Sequence, residues 1–485
     1  MIGMGLAQVL FTAILARLLE PADFGLMAMA YLMIKFGQYF SGTGIRSYLI
    51  QKNELDKTDI EASFFLSGIF GLALTILAYF LAPLGNDFFN TKGLEPIIRI
   101  LATVYLFTGL SITSGALLQK SLRFKSFSLI ELLAYCVSYM LIGIPMAWLG
   151  YGVYSLVYAM LTQQFLLMAA LYLASRHSIG LSFNRQKLKQ TLLPCTHYSF
   201  NSILDFIVNS LPTFMVGRLF GDVIVGIFNR ANMLVTLPMN NISAAVTKVF
   251  FPFISSCKDD QTKLKSSYLK TNILASLILI PMSLGMVPAA SELIIVILGS
   301  KWQEGIPVFQ ILAIGMLFHF TSIFPGQYAD VHQLLRQRTL IQVSTIIVTL
   351  SAMMLFMGKG MVGVASGYVV GQIFRFFVFM WFIKKWLILD NMDFIHMYSP
   401  GFIIGIISTL SVWLVHHYLH ITPLIFTLLL EIFAGITIYL ISILFLPNRG
   451  MRNAIVSLNN LFETGKNPGL FDKLIQTIIM RLRYS

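Results

Sequence analysis

The sequence predicts an all-α membrane protein with about fourteen membrane-spanning helices. Three observations lead to this fold class. Of the 485 residues, 57% are hydrophobic and only 11% are charged, and long apolar runs recur with polar breaks between them. A soluble chain carries roughly a quarter charged residues, so this chain lacks the polar surface that a water-exposed fold needs. The sequence therefore leaves no room for a large soluble domain.

Each predicted span is an apolar run of roughly 20 residues between charged or Pro- and Gly-rich breaks. In chain order, the predicted spans are residues 1–19, 24–44, 62–82, 97–118, 127–149, 153–174, 196–217, 222–253, 269–298, 305–325, 339–357, 361–383, 396–418 and 424–446. The tail 447–485 is too polar to span a membrane. Its segment 470–482 has the pattern of a basic amphipathic helix on the inner leaflet, and a frayed polar tail is the alternative.

Loops that are rich in lysine and arginine alternate along the chain with loops that hold few of them. The poor loops hold only Lys92, Arg218, Lys301 and Lys359. Because cytoplasmic loops carry the excess of Lys and Arg, both termini are predicted to be cytoplasmic. The net charge of +13 is then explained by the orientation of the loops and by contact with anionic lipids. We therefore expect no nucleic-acid partner.

An internal repeat predicts how the spans are grouped. The segment Arg17-Leu-Leu-Glu-Pro-Ala-Asp-Phe-Gly25 opens the second span, and Arg218-Leu-Phe-Gly-Asp-Val-Ile-Val-Gly226 opens the eighth. Because six spans separate the copies, the two halves have the same orientation, and the substrate site is expected between them. The predicted organisation is two pseudo-symmetric six-helix bundles, 1–174 and 196–385, with a cytoplasmic linker 175–195, appended helices in 386–446 and a cytoplasmic tail 447–485.

Cations inside the predicted spans are candidates for binding substrate, because a charge at mid-membrane costs at least about 2.5 to 3.5 kcal/mol. Lys35 lies near the middle of the second span and Arg230 lies within the eighth. In a cleft between the bundles, both suit a diphosphate or another anion. Arg17 and Arg218 at outer helix ends, and Arg46 at the inward mouth, are further candidates. The alternative is that each cation snorkels, anchors a helix end or pairs with a carboxylate.

Asp205 is the candidate ion-coupling group, with Asn201 and Asn209 on the same face of the seventh span and Pro212 one turn beyond. Oxygen ligands near a broken helix suit Na⁺, and a carboxylate there also suits H⁺. The alternative is hydrogen bonding between helices by the asparagines. Since the chain has no nucleotide-binding or hydrolytic motif, we expect no cofactor and a Na⁺, H⁺ or substrate gradient as the energy source.

Three histidines close together, His416, His417 and His420, include a pair at metal-binding spacing. No carboxylate or cysteine is near them in the sequence, so we expect no metal site there. Glu431, in the appended helices, is expected to be structural, and Glu131 to pair with nearby cytoplasmic basic residues.

Several segments carry a family resemblance. They are Leu15-Ala-Arg-Leu-Leu-Glu-Pro-Ala-Asp-Phe-Gly25, Leu49-Ile-Gln-Lys52, Ala116-Leu-Leu-Gln-Lys-Ser-Leu-Arg-Phe-Lys125, Val249-Phe-Phe-Pro-Phe253, Asp259-Asp-Gln-Thr-Lys-Leu264 and Gly299-Ser-Lys-Trp-Gln-Glu-Gly-Ile-Pro307. The chain resembles polysaccharide transporters of the multidrug/oligosaccharidyl-lipid/polysaccharide exporter superfamily, and the last three segments look like the branch with the colanic-acid exporter.

The resemblance implies an inner-membrane flippase with two six-helix lobes around a cationic cavity. It implies alternating access that moves undecaprenyl-diphosphate-linked oligosaccharide to the periplasmic leaflet for lipopolysaccharide or exopolysaccharide synthesis, and it allows a polymerase and chain-length machinery as partners. The chain departs from the family pattern in the eleventh span, where Thr345, Thr349 and Ser351 come without a carboxylate. The coupling ion therefore stays open.

Two alternative functions follow from the same sequence. A cation-coupled drug exporter of the same superfamily would need acidic groups in an apolar pocket, whereas Lys35 and Arg230 favour an anionic substrate. A membrane polysaccharide polymerase or ligase would need a sizeable outer loop for its catalytic groups, and the predicted outer loops are short.

Overall fold

The computed structural model describes residues 2–41, 43–52, 54–180, 195–256, 261–332, 334–419 and 423–445. Within these ranges the regular elements are helices and none is a strand, which confirms the all-α prediction. The predicted tail helix 470–482, most of the predicted linker and His420 lie outside the described residues.

The chain divides into two compact units, Met1–Arg230 and Ala231–Ser485. The first contains α1 (Ile2–Leu18), α2 (Pro21–Ser41), α3 (Thr43–Gln51), α4 (Lys57–Leu81), α5 (Pro83–Phe89), α6 (Leu94–Lys120), α7 (Phe124–Ser138), α8 (Ile144–Trp148) and α9 (Val153–Ser175). A short π-helical turn, Tyr139–Gly143, joins α7 to α8. The next helix, α10 (Cys195–Ser256), begins in the first unit and ends in the second.

The second unit continues with α11 (Gln261–Gly285), α12 (Ala290–Ile297), α13 (Ile306–Thr321), α14 (Ile323–Val331), α15 (Leu335–Phe356), α16 (Gly360–Leu387), α17 (Asn391–Tyr418) and α18 (Leu424–Phe445). Helix α17 packs along α11, where Ser276 Oγ donates a hydrogen bond of 2.8 Å to the carbonyl oxygen of Met397. Helix α18 packs against α17 and α12. The two helices predicted as appended therefore pack on other helices of this unit, and their grouping as appended helices stays a prediction.

Ten helical segments of the described chain are long and apolar enough to cross a membrane, so the chain is a multi-pass membrane protein. Two of them, Ile203–Ala244 and Leu335–Leu387, have 42 and 53 residues, whereas one crossing takes about 20. Each contains a break, at Gly221 (φ 82°) in the first and before Gly360 (φ 66°) in the second. Each is therefore long enough for two crossings, and the count of fourteen spans stays a prediction.

Large apolar side chains on the outside of these helices are exposed, as a lipid-facing surface requires. Examples are Phe80 (73%), Leu141 (63%), Leu355 (78%) and Phe433 (68%). A soluble protein rarely exposes such a continuous apolar surface.

The ninth predicted span is not a single continuous helix. The run 269–298 is divided between α11, which ends at Gly285, and α12, which begins at Ala290. Pro288 lies in the turn between them. A proline disfavours helical backbone at the residue before it, which explains the interruption of an otherwise continuous apolar run.

The two glycines of the internal repeat form a reciprocal contact in the first unit. A Cβ atom at Gly25 would overlap the carbonyl oxygen of Asp222, and a Cβ atom at Gly226 would overlap that of Pro21. Each glycine therefore packs against the backbone of the other copy. Only a residue without a side chain permits helices to approach this closely. The contact fixes the start of α2 against α10 and so positions the cations that both helices carry.

Candidate functional site

Lys35 lies on α2 with an exposed side chain. Its Nζ atom is 6.0 Å from the ring centroid of Tyr31, one helical turn earlier. Among the residues that the structure describes, no carboxylate pairs with Lys35. In the span that the sequence predicts over α2, a cation without a carboxylate partner is expected to face water or an anionic ligand, because lipid solvates it poorly.

Arg230 is half-buried on α10 and packs on α2. Its guanidinium carbon is 4.7 Å from the ring centroid of the buried Phe24, a cation–π contact. Its Nη2 atom donates a hydrogen bond of 2.9 Å to Asn229 Oδ1. The helix that carries Lys35 therefore also supports the guanidinium of Arg230.

Three tyrosines connect the two cations. Tyr135 and Tyr139, one turn apart on the same face, have ring centroids 4.4 Å apart. Both lie within electrostatic range of Arg230, and Tyr139 is also within range of Tyr31 beside Lys35. We refer to Lys35, Arg230, Tyr31, Tyr135 and Tyr139 as the cationic aromatic patch. It combines positive charge with amphipathic rings, a suitable chemistry for an anion attached to a sugar.

The other predicted cations have different surroundings. Arg218 donates hydrogen bonds to the carbonyl oxygens of Asp87 (3.0 Å) and Phe88 (2.7 Å) near the end of α5, so it satisfies the last carbonyls of that helix. Arg17 is exposed at the end of α1. Arg46 on α3 lies within electrostatic range of Glu131. These contacts give Arg218 and Arg46 roles that need no substrate.

The predicted ion-coupling residues lie along one helix with increasing exposure. Asn201 is buried, Asp205 is half-buried and Asn209 is exposed. The expectation that the helix breaks near Pro212 is wrong, because α10 continues through it and the non-helical residue is Gly221. The ring of Phe206, next to Asp205, is 6.0 Å from that of Phe36, next to Lys35. Asp205 therefore lies on a helix that packs beside the patch, and its role in ion coupling stays a prediction.

A polar cluster that the sequence did not predict joins α3, α4 and α6. Lys52 forms an ion pair of 2.6 Å with the buried Asp59, and this hydrogen bond raises the pKa of Lys52. Lys120 donates to the carbonyl oxygens of Leu49 (3.2 Å) and Lys52. Two of the family-like segments, at 49–52 and 116–125, therefore meet here. The basic residues of these segments hold α3, which connects α2 to α4, against α6. They therefore have a structural role in addition to any effect on membrane orientation.

No carboxylate is near the histidines in the sequence, but the folded chain brings two of them to His416. In the second unit, His416 lies beside Glu292 and Glu431. Glu292 comes from a distant part of the sequence, and Glu431 lies 15 residues away on the next helix, so helical spacing around His416 indicates neither contact.

Comparison with known proteins identifies the family. Residues 14–307 match the family described as polysaccharide biosynthesis protein. The chain belongs to this family. The resemblance drawn from the sequence is thereby confirmed.

Curated members of the polysaccharide biosynthesis family give the sequence context. The chain is 26% identical to the lipopolysaccharide biosynthesis protein WzxC of Escherichia coli over 321 residues, which are 64% of this chain and 63% of WzxC. It is 25% identical over 90% of both chains to an uncharacterized membrane protein in the cps region of Klebsiella pneumoniae. It is 23% identical to the succinoglycan biosynthesis transport protein ExoT of Rhizobium meliloti, over 64% of this chain and 63% of ExoT.

Solved structures show that this family member shares a transporter fold. The lipid II flippase MurJ in an inward closed conformation matches with a TM-score of 0.72 and 16% identity, over 90% of this chain and 96% of MurJ. An inward-facing multidrug resistance MATE transporter matches with a TM-score of 0.61 and 15% identity, over 79% of this chain and 94% of the transporter. At these identities the likeness shows the fold alone.

Proposed function

We propose that this family member is a flippase that binds the diphosphate of a lipid-linked oligosaccharide at the cationic aromatic patch. Its relatives are named for lipopolysaccharide biosynthesis and succinoglycan transport, and MurJ is named a lipid II flippase. The chain is accordingly a transporter rather than an enzyme. The substrate, the direction and the residues that bind are the content of the proposal.

The observation that carries the proposal is the environment of Lys35. This cation lies on α2, within the second span that the sequence predicts, and it is exposed and without a carboxylate partner in the described chain. An ammonium at such a depth costs at least about 2.5 to 3.5 kcal/mol when it faces lipid. The cost is removed when the ammonium faces a wet cavity that takes up an anion.

The remaining patch residues support a diphosphate with a sugar attached. The guanidinium of Arg230, already oriented by Phe24 and Asn229, can bind phosphate oxygens through two parallel N–H donors, which Lys35 as a point charge cannot do. The exposed ring of Tyr31 offers a flat apolar face with a hydroxyl group at its edge, and the buried Tyr135 lies behind Arg230. A cationic drug would be repelled by the same two charges, which disfavours the multidrug-exporter alternative.

Binding of the diphosphate at the cationic aromatic patch suggests how the transport cycle runs. The empty patch opens to the cytoplasmic leaflet, takes up undecaprenyl-diphosphate-linked oligosaccharide and releases it on the periplasmic side of the inner membrane by alternating access. Both termini are cytoplasmic in this proposal, which the loop charges support.

Surface-polysaccharide polymerase and chain-length machinery would use the product. A Na⁺ or H⁺ gradient coupled through Asp205 would supply the energy, or the substrate gradient itself would do so.

The test is a flipping assay with the purified full chain in liposomes that contain undecaprenyl-diphosphate-linked oligosaccharide. We compare wild type with Lys35→Gln, with Lys35→Arg and with Lys92→Gln, which removes an exposed cation elsewhere in the first unit. We expect Lys35→Gln to lose flipping at an unchanged protein level, and the other two to retain it. Flipping by Lys35→Gln at the wild-type rate would overturn the role of the patch. Efflux of a cationic dye without flipping of the oligosaccharide would overturn the proposed function.

A further inference from the structure

Three side chains that can bind a metal converge in the second unit. Glu292 lies in the first turn of α12, His416 in the last turn of α17 and Glu431 on α18. One ligand atom from each lies within 4.8 Å of the other two. Helices α17 and α18 are consecutive, whereas α12 lies more than 90 residues earlier in the sequence, so the fold brings Glu292 to the other two residues.

The distances within this cluster match those around a bound metal ion. His416 Nδ1 is 3.1 Å from Glu292 Oε1 and 3.3 Å from Glu431 Oε1. Two ligand atoms held at about 2.0 to 2.2 Å from a tetrahedral Zn²⁺ lie about 3.3 to 3.6 Å apart. Small adjustments of the side chains would therefore place an ion between the three ligand atoms.

The charge of the cluster calls for a cation. Glu431 is fully buried and Glu292 is 5% exposed, so two carboxylates share one imidazole away from solvent. The second oxygen of Glu431, Oε2, is buried and has no hydrogen-bond partner among the described residues. Buried like charges and an unsatisfied carboxylate oxygen are both unfavourable. A divalent cation neutralises both carboxylates at once, whereas an imidazolium neutralises only one.

The surroundings of the cluster are suitable for binding and entry. The Ser291 hydroxyl donates a hydrogen bond of 2.5 Å to Glu292 Oε2, which fixes that carboxylate with its other oxygen toward His416. Such hydrogen bonds to ligands are common at metal centres. The side chain of His416 is 35% exposed, which provides a route from solvent to the buried carboxylates.

We propose that Glu292, His416 and Glu431 bind a divalent transition-metal ion, with Zn²⁺ as the ion that best suits one imidazole and two carboxylates. The bound ion joins α12 to α17 and α18 and so stabilises the end of the second unit. The proposal reverses the expectation that the histidine cluster holds no metal, and it does not depend on the flippase assignment.

His417 supplies a matched control for the test. It neighbours His416 in the sequence, but its ring stacks on Trp413 with centroids 5.2 Å apart and an interplanar angle of 4°. A variant of His417 therefore removes an imidazole that takes no part in the cluster.

The experiment measures metal bound by the full chain, purified in detergent without a polyhistidine tag, dialysed against Zn²⁺ and analysed by mass spectrometry. We expect wild type and His417→Gln to hold one more zinc ion per chain than Glu431→Gln and His416→Gln, and EDTA to lower the thermal midpoint of the first pair only. Equal zinc contents in wild type and Glu431→Gln would overturn the site and leave a shared proton between the carboxylates.

A second measurement needs no variant and so does not depend on the variants folding. Wild-type protein titrated with Co²⁺ should develop the visible absorption of a cobalt ion in a low-symmetry protein site, and Zn²⁺ should displace it. A titration without these bands would overturn the proposal.

Discussion

The segments Arg17–Gly25 and Arg218–Gly226 have the same spacing, yet their side chains have different surroundings. Both glycines pack against the backbone of the other segment. Both arginines are exposed, and Arg218 donates hydrogen bonds to the carbonyls at the end of α5. The repeat therefore preserves the approach of two backbones, and in the second copy Arg218 also holds the end of a neighbouring helix.

The same contrast extends to the two cations after the repeat segments. Lys35 is exposed, with its ammonium near the ring of Tyr31, while Arg230 is half-buried against Phe24. Lys35 therefore has the freedom to bind and release an anion during transport. Arg230 is held in one orientation, which suits it to position the same anion.

The largest effect is expected from breaking what the two segments share. A methyl group at Gly25 or Gly226 would overlap a backbone carbonyl of the other copy, so Gly25→Ala and Gly226→Ala should each destabilise the protein by about 1 to 3 kcal/mol. The measurement is the thermal midpoint of the full chain in detergent, together with its level in the membrane.

Gly68→Ala is the control for the glycine variants. A Cβ atom there meets only the flexible Leu110 side chain at 3.4 Å, and alanine favours a helix over glycine. Its thermal midpoint should equal or exceed that of wild type. If Gly25→Ala behaves like Gly68→Ala, the reciprocal glycine contact does not support the fold.

The next largest effect is expected when each of the two cations is replaced by the other type, lysine for arginine and arginine for lysine. Arg230→Lys should reduce flipping roughly tenfold, because lysine loses the planar stacking on Phe24 and the paired donors. Lys35→Arg should retain most of the activity, since its exposed position tolerates a larger cation. Initial flipping rates in liposomes at matched protein density decide the comparison. Full activity in both variants would mean that the patch senses only charge, and equal losses would mean that both positions require their own type of cation.

Much of this architecture is predictable from the sequence, because apolar runs determine which segments are helices. Lys35 is conspicuous for the same reason, as a charge within such a run. The tyrosines of the patch are not, since Tyr135 and Tyr139 resemble the many aromatic residues of a membrane helix. Their importance depends on α7 and α10 packing together. Glu292 and Glu431 are hidden for a similar reason, because helix packing brings them to His416.

A smaller effect is expected from Arg218 in the second copy. Arg218→Ala removes two hydrogen bonds to exposed backbone carbonyls and should lower stability by about 1 kcal/mol without changing substrate affinity. A loss of flipping by Arg218→Ala at full stability would instead place this arginine in the substrate path.

The smallest effect concerns Asp205, on the helix that joins the second copy to the patch. Asp205→Asn keeps the shape of the side chain but removes a charge that must change partners if it carries an ion through the transport cycle. Because Phe206 packs on Phe36, beside Lys35, such a charge can influence the patch without touching the substrate. We therefore expect oligosaccharide binding to stay near the wild-type value and the response of flipping to imposed Na⁺ and pH gradients to decrease. An unchanged gradient response in Asp205→Asn would assign Asp205 to helix packing, and the substrate gradient would then be left as the driving force.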